Sequence, residues 1–393
     1  MKILWVKSDF LHPTTKGGHI RTLETLKRLH ARHEIHYVAL DLAEQTGGLE
    51  RSAEYCAKAY PVPHSAPVRG TLAFWMQAAA GLFSPLPLAV SRYRSEPMLR
   101  QVEALTRAEK FDSIVCDFLF AAPNMPDLAS TVLFQHNVES LIWKRQTDNA
   151  PDPLLRLYFR SQYNRMLRFE GETCRAAKSV IAVSETDAHT LRSLYGVSRI
   201  AAVPTGVDLD YFTPANRPAP SADLVFAGSM DWIPNIDGIQ WFVEEVLPLI
   251  RKQRPDCSLV IAGRRPAPEI ERLAKNDKRI RVTGTVDDIR PYLWESAVSI
   301  VPLRIAGGTR LKIYEAMAAK IPVVSTAIGA EGLDIRNGDD IHIADSPAEF
   351  ATRCLELLAD PDARRRMADI AFGIVASRYS WEIVSRKFEE LLV

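Results

Sequence analysis

Two cations lie at the start of a predicted helix that follows a glycine-rich turn. The run Val298 to Leu303 is apolar, the small residues Ala306 to Gly308 are expected to be flexible, and Thr309 is a suitable N-cap for the helix. Positive charge in a first turn opposes the helix dipole and costs about 0.3–1 kcal/mol per charge. Arg310 and Lys312 therefore indicate an anion at this helix end. Backbone N–H groups, glycines and two cations would suit a diphosphate.

A second glycine-containing loop, Lys7 to Gly18, joins the strand-like run Ile3 to Val6 to a predicted helix. Gly17 and Gly18 lie at the start of that helix, where glycines let a ligand approach the backbone. The spacing is not GxGxxG, so the loop carries no dinucleotide fingerprint. A simple turn explains the glycine pair equally well.

Two further side chains are candidates for chemistry. His136 follows the apolar run Thr131 to Phe134, and at the end of a strand an imidazole could act as a base, an acid or a hydrogen-bond donor. A lone histidine is more often structural. Glu315 lies one turn after Leu311, where its carboxylate could accept hydrogen bonds from a ribose diol. A surface glutamate that pairs with Lys312 fits the same spacing.

Several reaction classes are excluded or disfavoured by missing patterns. The sequence has no GxxxxGK[ST] loop, which argues against nucleoside triphosphate hydrolysis, and neither a GxSxG elbow nor an HExxH motif. The acidic pairs Asp287-Asp288 and Asp339-Asp340 are interpreted as caps and turns rather than as metal ligands. No metal is expected.

Short apolar runs alternate with helical patterns along the whole chain, which predicts an α/β fold with parallel, doubly wound sheets. The predicted strands cover 3–6, 34–40, 111–116, 131–134 and 179–183, and then 224–228, 258–262, 280–283, 298–301 and 323–325. In such sheets ligands bind at the carboxyl ends of strands.

The chain has 393 residues, more than the roughly 250–300 that one core supports, so we expect two domains. The proline-rich segment Thr213 to Ser221 is the clearest linker. We predict a first domain over 1–212, a second over 213–375, and a C-terminal helix over 376–393 whose apolar stripe packs on the first domain. Two such domains would leave a cleft between them.

Composition limits the partners and the compartment. Forty-nine basic and 48 acidic residues give a formal charge of +1, which provides no drive toward nucleic acid. Five scattered cysteines without a CxxC pair indicate buried thiols in a reducing compartment. Met1 is followed at once by a strand pattern, so we expect no signal peptide and a cytoplasmic protein.

Two segments could contact a membrane surface. The apolar window Thr71 to Val90 is interrupted by polar residues, glycine and prolines, so it is interpreted as buried or interfacial rather than spanning. Asp152 to Lys178 reads as a basic amphipathic helix that could meet anionic lipid head groups. Glu170 and Glu172 dilute its charge, and a packed, solvated helix face is the favoured interpretation.

Four segments resemble the family 4 retaining glycosyltransferases, which have the GT-B fold, and the likeness covers nearly the whole chain. The matching pieces are VPTGVD (203–208), VFAGSMDWIPN (225–235), GTVDDIRPYL (284–293) and PLRIAGGTRLKIYEAMAAKIPVVST (302–326). The resemblance implies two Rossmann-like domains that face a central cleft. The first would be the acceptor-side domain and the second would bind a nucleotide sugar, without a metal.

The resemblance also implies roles for the candidate residues. Glu315 takes the place of the ribose-binding glutamate, His136 matches a histidine that lines the sugar site, and Gly17-Gly18 would face the donor diphosphate. The residues predicted to bind the nucleotide are Gly17, Gly18, Gly228, Gly284, Thr285, Val286, Gly307, Gly308, Thr309 and Glu315. Those predicted to take part in catalysis are His136, Arg310 and Lys312.

The sequence departs from the family pattern at two places. Gly307 stands where the family often has a sugar-contacting glutamate, and backbone N–H groups around 306–309 could substitute for it. Residues 228–232 contain no arginine or lysine, although the family usually has both there. We therefore hypothesise that Arg310 and Lys312 neutralise the leaving diphosphate.

By this resemblance we expect a retaining glycosyltransferase that moves a sugar from a nucleotide-sugar donor to a polysaccharide, lipid-linked or other glycan acceptor. We also expect a role in exopolysaccharide synthesis, with peripheral contact at the inner face of the cell membrane. Two alternatives stay open. One is an isomerase similar to sugar-nucleotide 2-epimerases. The other is a non-catalytic partner subunit of a polysaccharide assembly complex, motivated by Gly307.

Overall fold

The computed structural model describes residues 1–14, 17–42, 47–65, 71, 84–150, 152–216, 218–305 and 311–392. The chain divides into two compact units. Unit 1 contains Met1–Pro204 and Val384–Val393, and unit 2 contains Thr205–Ile383.

Unit 1 is built on a parallel sheet of seven strands in the order β3-β2-β1-β4-β5-β6-β7. Its strands are β1 (Lys2–Lys7), β2 (Glu34–Leu42), β3 (Lys58–His64), β4 (Ser113–Asp117), β5 (Thr131–Phe134), β6 (Ser179–Ala182) and β7 (Ile200–Ala202). Its helices are α1 (Gly17–His30), α2 (Leu88–Ser91), α3 (Glu96–Ala108), α4 (Glu139–Asp148), α5 (Pro153–Ala176) and α6 (Glu185–Tyr195). Short 3-10 turns cover Ser52–Glu54 and Leu119–Asn124.

Unit 2 has a parallel sheet of six strands in the order β10-β9-β8-β11-β12-β13. Its strands are β8 (Ala222–Ala227), β9 (Leu259–Ala262), β10 (Ile280–Val282), β11 (Ser296–Val301), β12 (Val323–Ser325) and β13 (His342–Ile343). The helices are α7 (Leu209–Phe212), α8 (Ile233–Trp241), α9 (Leu247–Gln253), α10 (Pro268–Asn276), α11 (Arg290–Trp294), α12 (Leu311–Ala318), α13 (Pro347–Ala359), α14 (Pro361–Arg378) and α15 (Trp381–Glu390).

The strand order reverses once in each sheet, between β1 and β4 in unit 1 and between β8 and β11 in unit 2. The predicted parallel α/β architecture is therefore confirmed. A crevice forms at such a reversal because the connections on its two sides leave in opposite directions. The carboxyl ends of β1, β4, β8 and β11 are thus the places at which each unit can bind a ligand.

Strand β3 was not predicted from the sequence, because it contains Pro61 and Pro63. Proline cannot donate a ladder hydrogen bond, so it is tolerated only where one side of a strand is unpaired. In the structure β3 is the edge strand and pairs with β2 alone. The two- and three-residue strands β13 and β7 were also missed, since runs this short carry no periodic signal.

The predicted amphipathic helix of unit 2 is present but interrupted. A π-helical turn over Phe242–Val246 separates α8 from α9 just before Pro248, which lacks an N–H group for the regular helical ladder. The apolar stripe nevertheless stays on one side, and Ile239, Phe242 and Ile250 are fully buried in the unit 2 core.

The division between the units lies earlier than the predicted boundary after residue 212. Val207 donates its backbone N–H to the Tyr379 carbonyl and accepts from the Trp381 N–H, so the segment after Pro204 is paired within unit 2. A Cβ at Gly206 would lie 2.5 Å from the Trp381 indole, which explains the glycine in this segment.

The C-terminal helix α15 starts in unit 2 and ends in unit 1. Phe388 is buried against Trp5 and Phe134, with ring centroids 5.5 and 4.8 Å apart. On the next residue, Glu389 accepts a 2.6 Å hydrogen bond from Arg32. Through these contacts the last ten residues, Val384–Val393, belong to unit 1. The sequence had predicted that the segment packing on the first domain starts earlier, at residue 376.

All five cysteines are buried and free, as predicted. The apolar window Thr71 to Val90 falls partly outside the described residues, at 72–83. Within the ranges given above, no helix combines the length and the hydrophobicity that a membrane crossing requires.

Candidate functional site

Asp117, the last residue of β4, is fully buried and accepts hydrogen bonds from four side chains. Lys7 and His136 donate to Oδ1 at 2.9 and 2.7 Å, and Trp5 and Thr22 donate to Oδ2 at 2.9 and 2.7 Å. Burial opposes ionisation, but Lys7 and His136 outweigh it and hold the pKa of Asp117 well below its usual range. The group is therefore a carboxylate at neutral pH.

Strand register brings these groups together. Asp117 pairs with Lys7 across β1 and β4 and with Phe134 across β4 and β5. His136 follows two residues after Phe134, at the same carboxyl edge of the sheet. Residues that are far apart in sequence thus meet beside the strand-order reversal of unit 1.

The imidazole of His136 is held in one form. Burial lowers the pKa of His136 to about 4 although Asp117 opposes this shift, so the ring is neutral at neutral pH. Because the Asp117 carboxylate can only accept, Nε2 carries the proton and Nδ1 is an acceptor. Nδ1 lies 3.2 Å from the position of a Cβ at Gly18, so a larger residue there would crowd the ring.

Two buried cations border this carboxylate. Lys7 is 4% and Arg21 is 2% exposed. Burial lowers the pKa of Arg21 to about 10, with Asp187 and Asp117 opposing the shift, so the guanidinium stays charged at neutral pH. The charges of Lys7 and Arg21 therefore offset that of Asp117 beside the neutral imidazole.

A second buried carboxylate fixes the helix that follows His136. Glu170, on α5, accepts the backbone N–H groups of Glu139 and Ser140 at 2.8 and 3.0 Å and the Tyr195 hydroxyl at 2.7 Å. It thereby caps the N-terminus of α4 from outside that helix. Burial also raises the pKa of Glu139 to about 7, with Glu170 adding to the effect.

In unit 2, Lys312 lies close to Gly228 at the reversal of strand order. Lys312, on α12, donates to Asn235 Oδ1 at 2.7 Å, and its Nζ lies 4.3 Å from the centroid of the Phe226 ring. A Cβ at Gly228 would lie 3.0 Å from Lys312 Nζ and 2.9 Å from the Asn235 amide nitrogen. Glycine at this position therefore leaves the backbone beside the cation open to a ligand.

Glu315 lies one helical turn after Lys312 and is partly buried. Burial raises its pKa to about 7, while the Lys312 charge acts in the opposite direction. The carboxyl group therefore changes its charge near neutral pH. A ligand that donates hydrogen bonds to it would favour the ionised form.

The remaining predicted residues are placed as follows. Gly17 is the first residue of α1. Gly284 follows β10 in a left-handed conformation, with φ of 69°, and precedes the exposed Thr285 and the half-buried Val286. Gly307, Gly308, Thr309 and Arg310 lie outside the described residues. The structure thus brings Gly18 to His136 and Gly228 to Lys312.

The acidic pairs take part in local structure. Asp288 accepts the Arg290 backbone N–H at 2.9 Å, and Asp340 accepts that of Arg336 at 2.9 Å, in keeping with the interpretation as caps and turns. Among the residues with described positions, no cluster of three or more His, Cys, Asp or Glu side chains could hold a metal ion.

Comparison with known proteins identifies the architecture. A family model described as Glycosyltransferase Family 4 matches residues 15–211, and one described as Glycosyl transferases group 1 matches 221–360. A Klebsiella pneumoniae relative, described as an uncharacterized 44.6 kDa protein in the cps region, is 23% identical over 99% of both chains.

Two further comparisons carry more informative names. D-inositol 3-phosphate glycosyltransferase 2 of Catenulispora acidiphila is 26% identical over 56% of this chain, and the match spans 59% of that enzyme. The solved structure of Anabaena HepE in complex with UDP and glucose superposes with a TM-score of 0.66 at 15% identity, over 100% of this chain and 99% of HepE.

We expect Asp117→Ala to lower the free energy of unfolding by about 3–5 kcal/mol, because it leaves the buried charge of Lys7 without its partner. Urea denaturation measures the change. Asp148→Ala is the control, since Asp148 forms an exposed ion pair with Lys144 and its loss should have no measurable effect. Equal stability of the Asp117 variant and the native protein would contradict the assigned role.

Proposed function

The chain belongs to glycosyltransferase family 4, and on that premise we propose that it transfers a hexosyl group from a nucleotide-diphosphate sugar to a glycan or lipid-linked acceptor, with retention of configuration. The observation that carries the donor class is Lys312 beside Gly228, where a cation and an open backbone meet at the strand-order reversal of unit 2. The complex of HepE with UDP and glucose supports the same ligand class.

In the proposed reaction, this chain's residues act by charge and position. Lys312 stabilises the negative charge that develops on the departing diphosphate, and Arg310 was predicted from sequence to share that role. The ribose diol donates to Glu315, while Gly284, Thr285 and Val286 border the base. With cationic side chains in this role, the proposed reaction uses no metal cofactor.

His136 is proposed to line the sugar site in unit 1. Because its Nε2–H is held by Asp117, the available Nδ1 can only accept a hydrogen bond, for example from a sugar hydroxyl. Because a Cβ at Gly18 would crowd Nδ1, glycine at this position leaves room for the donor, and we propose that Gly17 also faces the donor. The ring then orients the sugar rather than acting as a cation.

A polysaccharide acceptor is the finer proposal. The Klebsiella pneumoniae relative, which is similar over 99% of this chain, is described as a protein in the cps region. We therefore propose a role in exopolysaccharide synthesis in the cytoplasm. Among the residues that the structure describes, no feature favours the isomerase or the non-catalytic subunit, and both are outcomes of the first experiment below.

The surface proposed to contact a membrane is the start of α5. Leu154, Leu157 and Leu155 are 78, 66 and 41% exposed, and the exposed Arg156 and Arg160 lie among them. Exposed leucines beside arginines suit a bilayer with anionic head groups, because the apolar side chains enter the interface while the cations meet phosphate. We propose that this end of α5 brings the enzyme to a lipid-linked acceptor.

Incubation with UDP-glucose, GDP-mannose and related donors, without acceptor, tests the reaction class. We expect slow release of a nucleoside diphosphate and no new sugar isomer. Lys312→Ala should weaken nucleoside diphosphate binding by about tenfold or more, since it removes a charged hydrogen-bond donor. Lys275→Ala, an exposed lysine on α10, is the control. Formation of a new sugar isomer would identify the protein as an epimerase. Absence of nucleotide binding would identify it as a non-catalytic subunit.

Affinity for the nucleoside diphosphate should depend on the ionisation of Glu315. Ribose hydroxyls bind the carboxylate form, and its pKa is about 7, so affinity should rise by up to about tenfold between pH 6 and 8. Calorimetry should also detect proton release on binding at pH 6.5. Glu315→Gln cannot titrate, and it reports any change due to the phosphate itself. Affinity that falls with pH in the native protein relative to this variant would contradict the assignment.

Vesicle sedimentation tests the membrane surface. The double variant Leu154→Ser/Leu157→Ser should bind vesicles of phosphatidylcholine with phosphatidylglycerol several-fold more weakly, and binding of the native protein should fall with added salt. Leu194→Ser, which alters a leucine that is 45% exposed on α6, is the matched control. Undiminished vesicle binding by the double variant, or self-association through these leucines in gel filtration, would overturn the proposal.

A further inference from the structure

The loops that follow β8 and β9 are fastened to one another beyond the ends of the strands. Gly228 donates its backbone N–H to Ala262 at 3.0 Å, and Met230 donates to the Arg264 carbonyl at 2.9 Å. A Cβ at Gly263 would lie 1.7 Å from the Gly228 carbonyl oxygen, so only glycine permits this approach. The backbone of Arg264 is therefore fixed next to the loop that carries Gly228.

A hydrogen bond to Ser229 orients the guanidinium of Arg264. Its Nε donates to Ser229 Oγ at 2.8 Å, and that hydroxyl donates its own proton to Asp231 at 2.6 Å. The bond from Ser229 lowers the pKa of Asp231, which is therefore an ionised acceptor. Because the hydroxyl proton is directed to Asp231, a lone pair of Ser229 faces Arg264. Within the described ranges, Nη1 and Nη2 of Arg264 have no hydrogen-bond partner.

A continuous set of hydrogen bonds links Arg264 to Lys312. Asn235, which is 2% exposed, donates to the Ser229 carbonyl at 2.7 Å and accepts from Lys312 at 2.7 Å. Ser229 in turn accepts from Arg264. Two cations from different elements are thus held around the Gly228-Ser229 backbone.

We propose that Arg264 is a second cation of the donor's diphosphate site, with Lys312 as the first. The inference rests on the proposed function. It accounts for the absence of arginine and lysine from residues 228–232, because Arg264, in the loop that follows β9, supplies the positive charge instead. The terminal guanidinium nitrogens can bind phosphate oxygens in pairs, which a lysine cannot do. Ser229 is the positioning residue for this contact.

Arg264→Ala, with Arg265→Ala as its control, tests the assignment. Arg265 is the next residue, its side chain is 75% exposed, and its guanidinium lies 3.7 Å from the Asp231 carboxylate. Calorimetry with UDP, GDP and ADP should show about 10- to 100-fold weaker binding to the Arg264 variant and little change for the Arg265 variant. Ligand-observed NMR with the matching nucleosides should show unchanged affinity, since these lack phosphate.

The positioning role of Ser229 has its own readout. Ser229→Ala should weaken diphosphate binding by a smaller factor with an unchanged Tm and unchanged nucleoside binding, and Ser229→Thr, which keeps the hydroxyl, should restore it. Diphosphate binding by Arg264→Ala equal to that of the native protein would overturn the assignment while leaving the proposed function intact. If the native protein binds none of the three diphosphates, both the assignment and the proposed function fail.

Discussion

The charge on Asp117 is the constraint on which unit 1 depends. A carboxylate out of reach of water is tolerated only when its neighbours replace the lost hydration, and here four donors from one strand, a helix and a loop do so. The arrangement holds only if β1, β4 and β5 keep their register, because a shift of one residue would turn Lys7 away. One interaction therefore couples strand order, helix placement and the proton position on His136.

Unit 2 meets a similar requirement with the opposite sign. At its strand-order reversal, the neutral side chain of Asn235 lies between the Lys312 ammonium and the Ser229 carbonyl. Glycines at 228 and 263 let the backbone of two loops and a lysine approach one another closely. Positive charge beside open backbone favours an anion.

The sequence predicted a feature correctly when the residues that define the feature are neighbours along the chain. The strand Thr131–Phe134 and its following histidine were identified because an apolar run and a polar residue after it are neighbours in sequence. Asp117 directly follows a predicted strand and could have been noticed on the same ground. Its importance was not visible, because its partners come from other strands. Arg264 was missed for the same reason, since its neighbour Ser229 belongs to a different loop.

By itself, the sequence determined the parallel α/β architecture and, through its motifs, the glycosyltransferase family. These follow from the alternation of apolar runs and helical stripes and from short local segments. Only the tertiary structure decided which charges meet and which groups ionise. Glu315 titrates near neutrality and His136 is neutral because burial, summed over every neighbour in space, sets the free energy of their charged forms. The spacing of residues along the chain cannot give these pKa shifts, because they depend on neighbours that are distant in sequence.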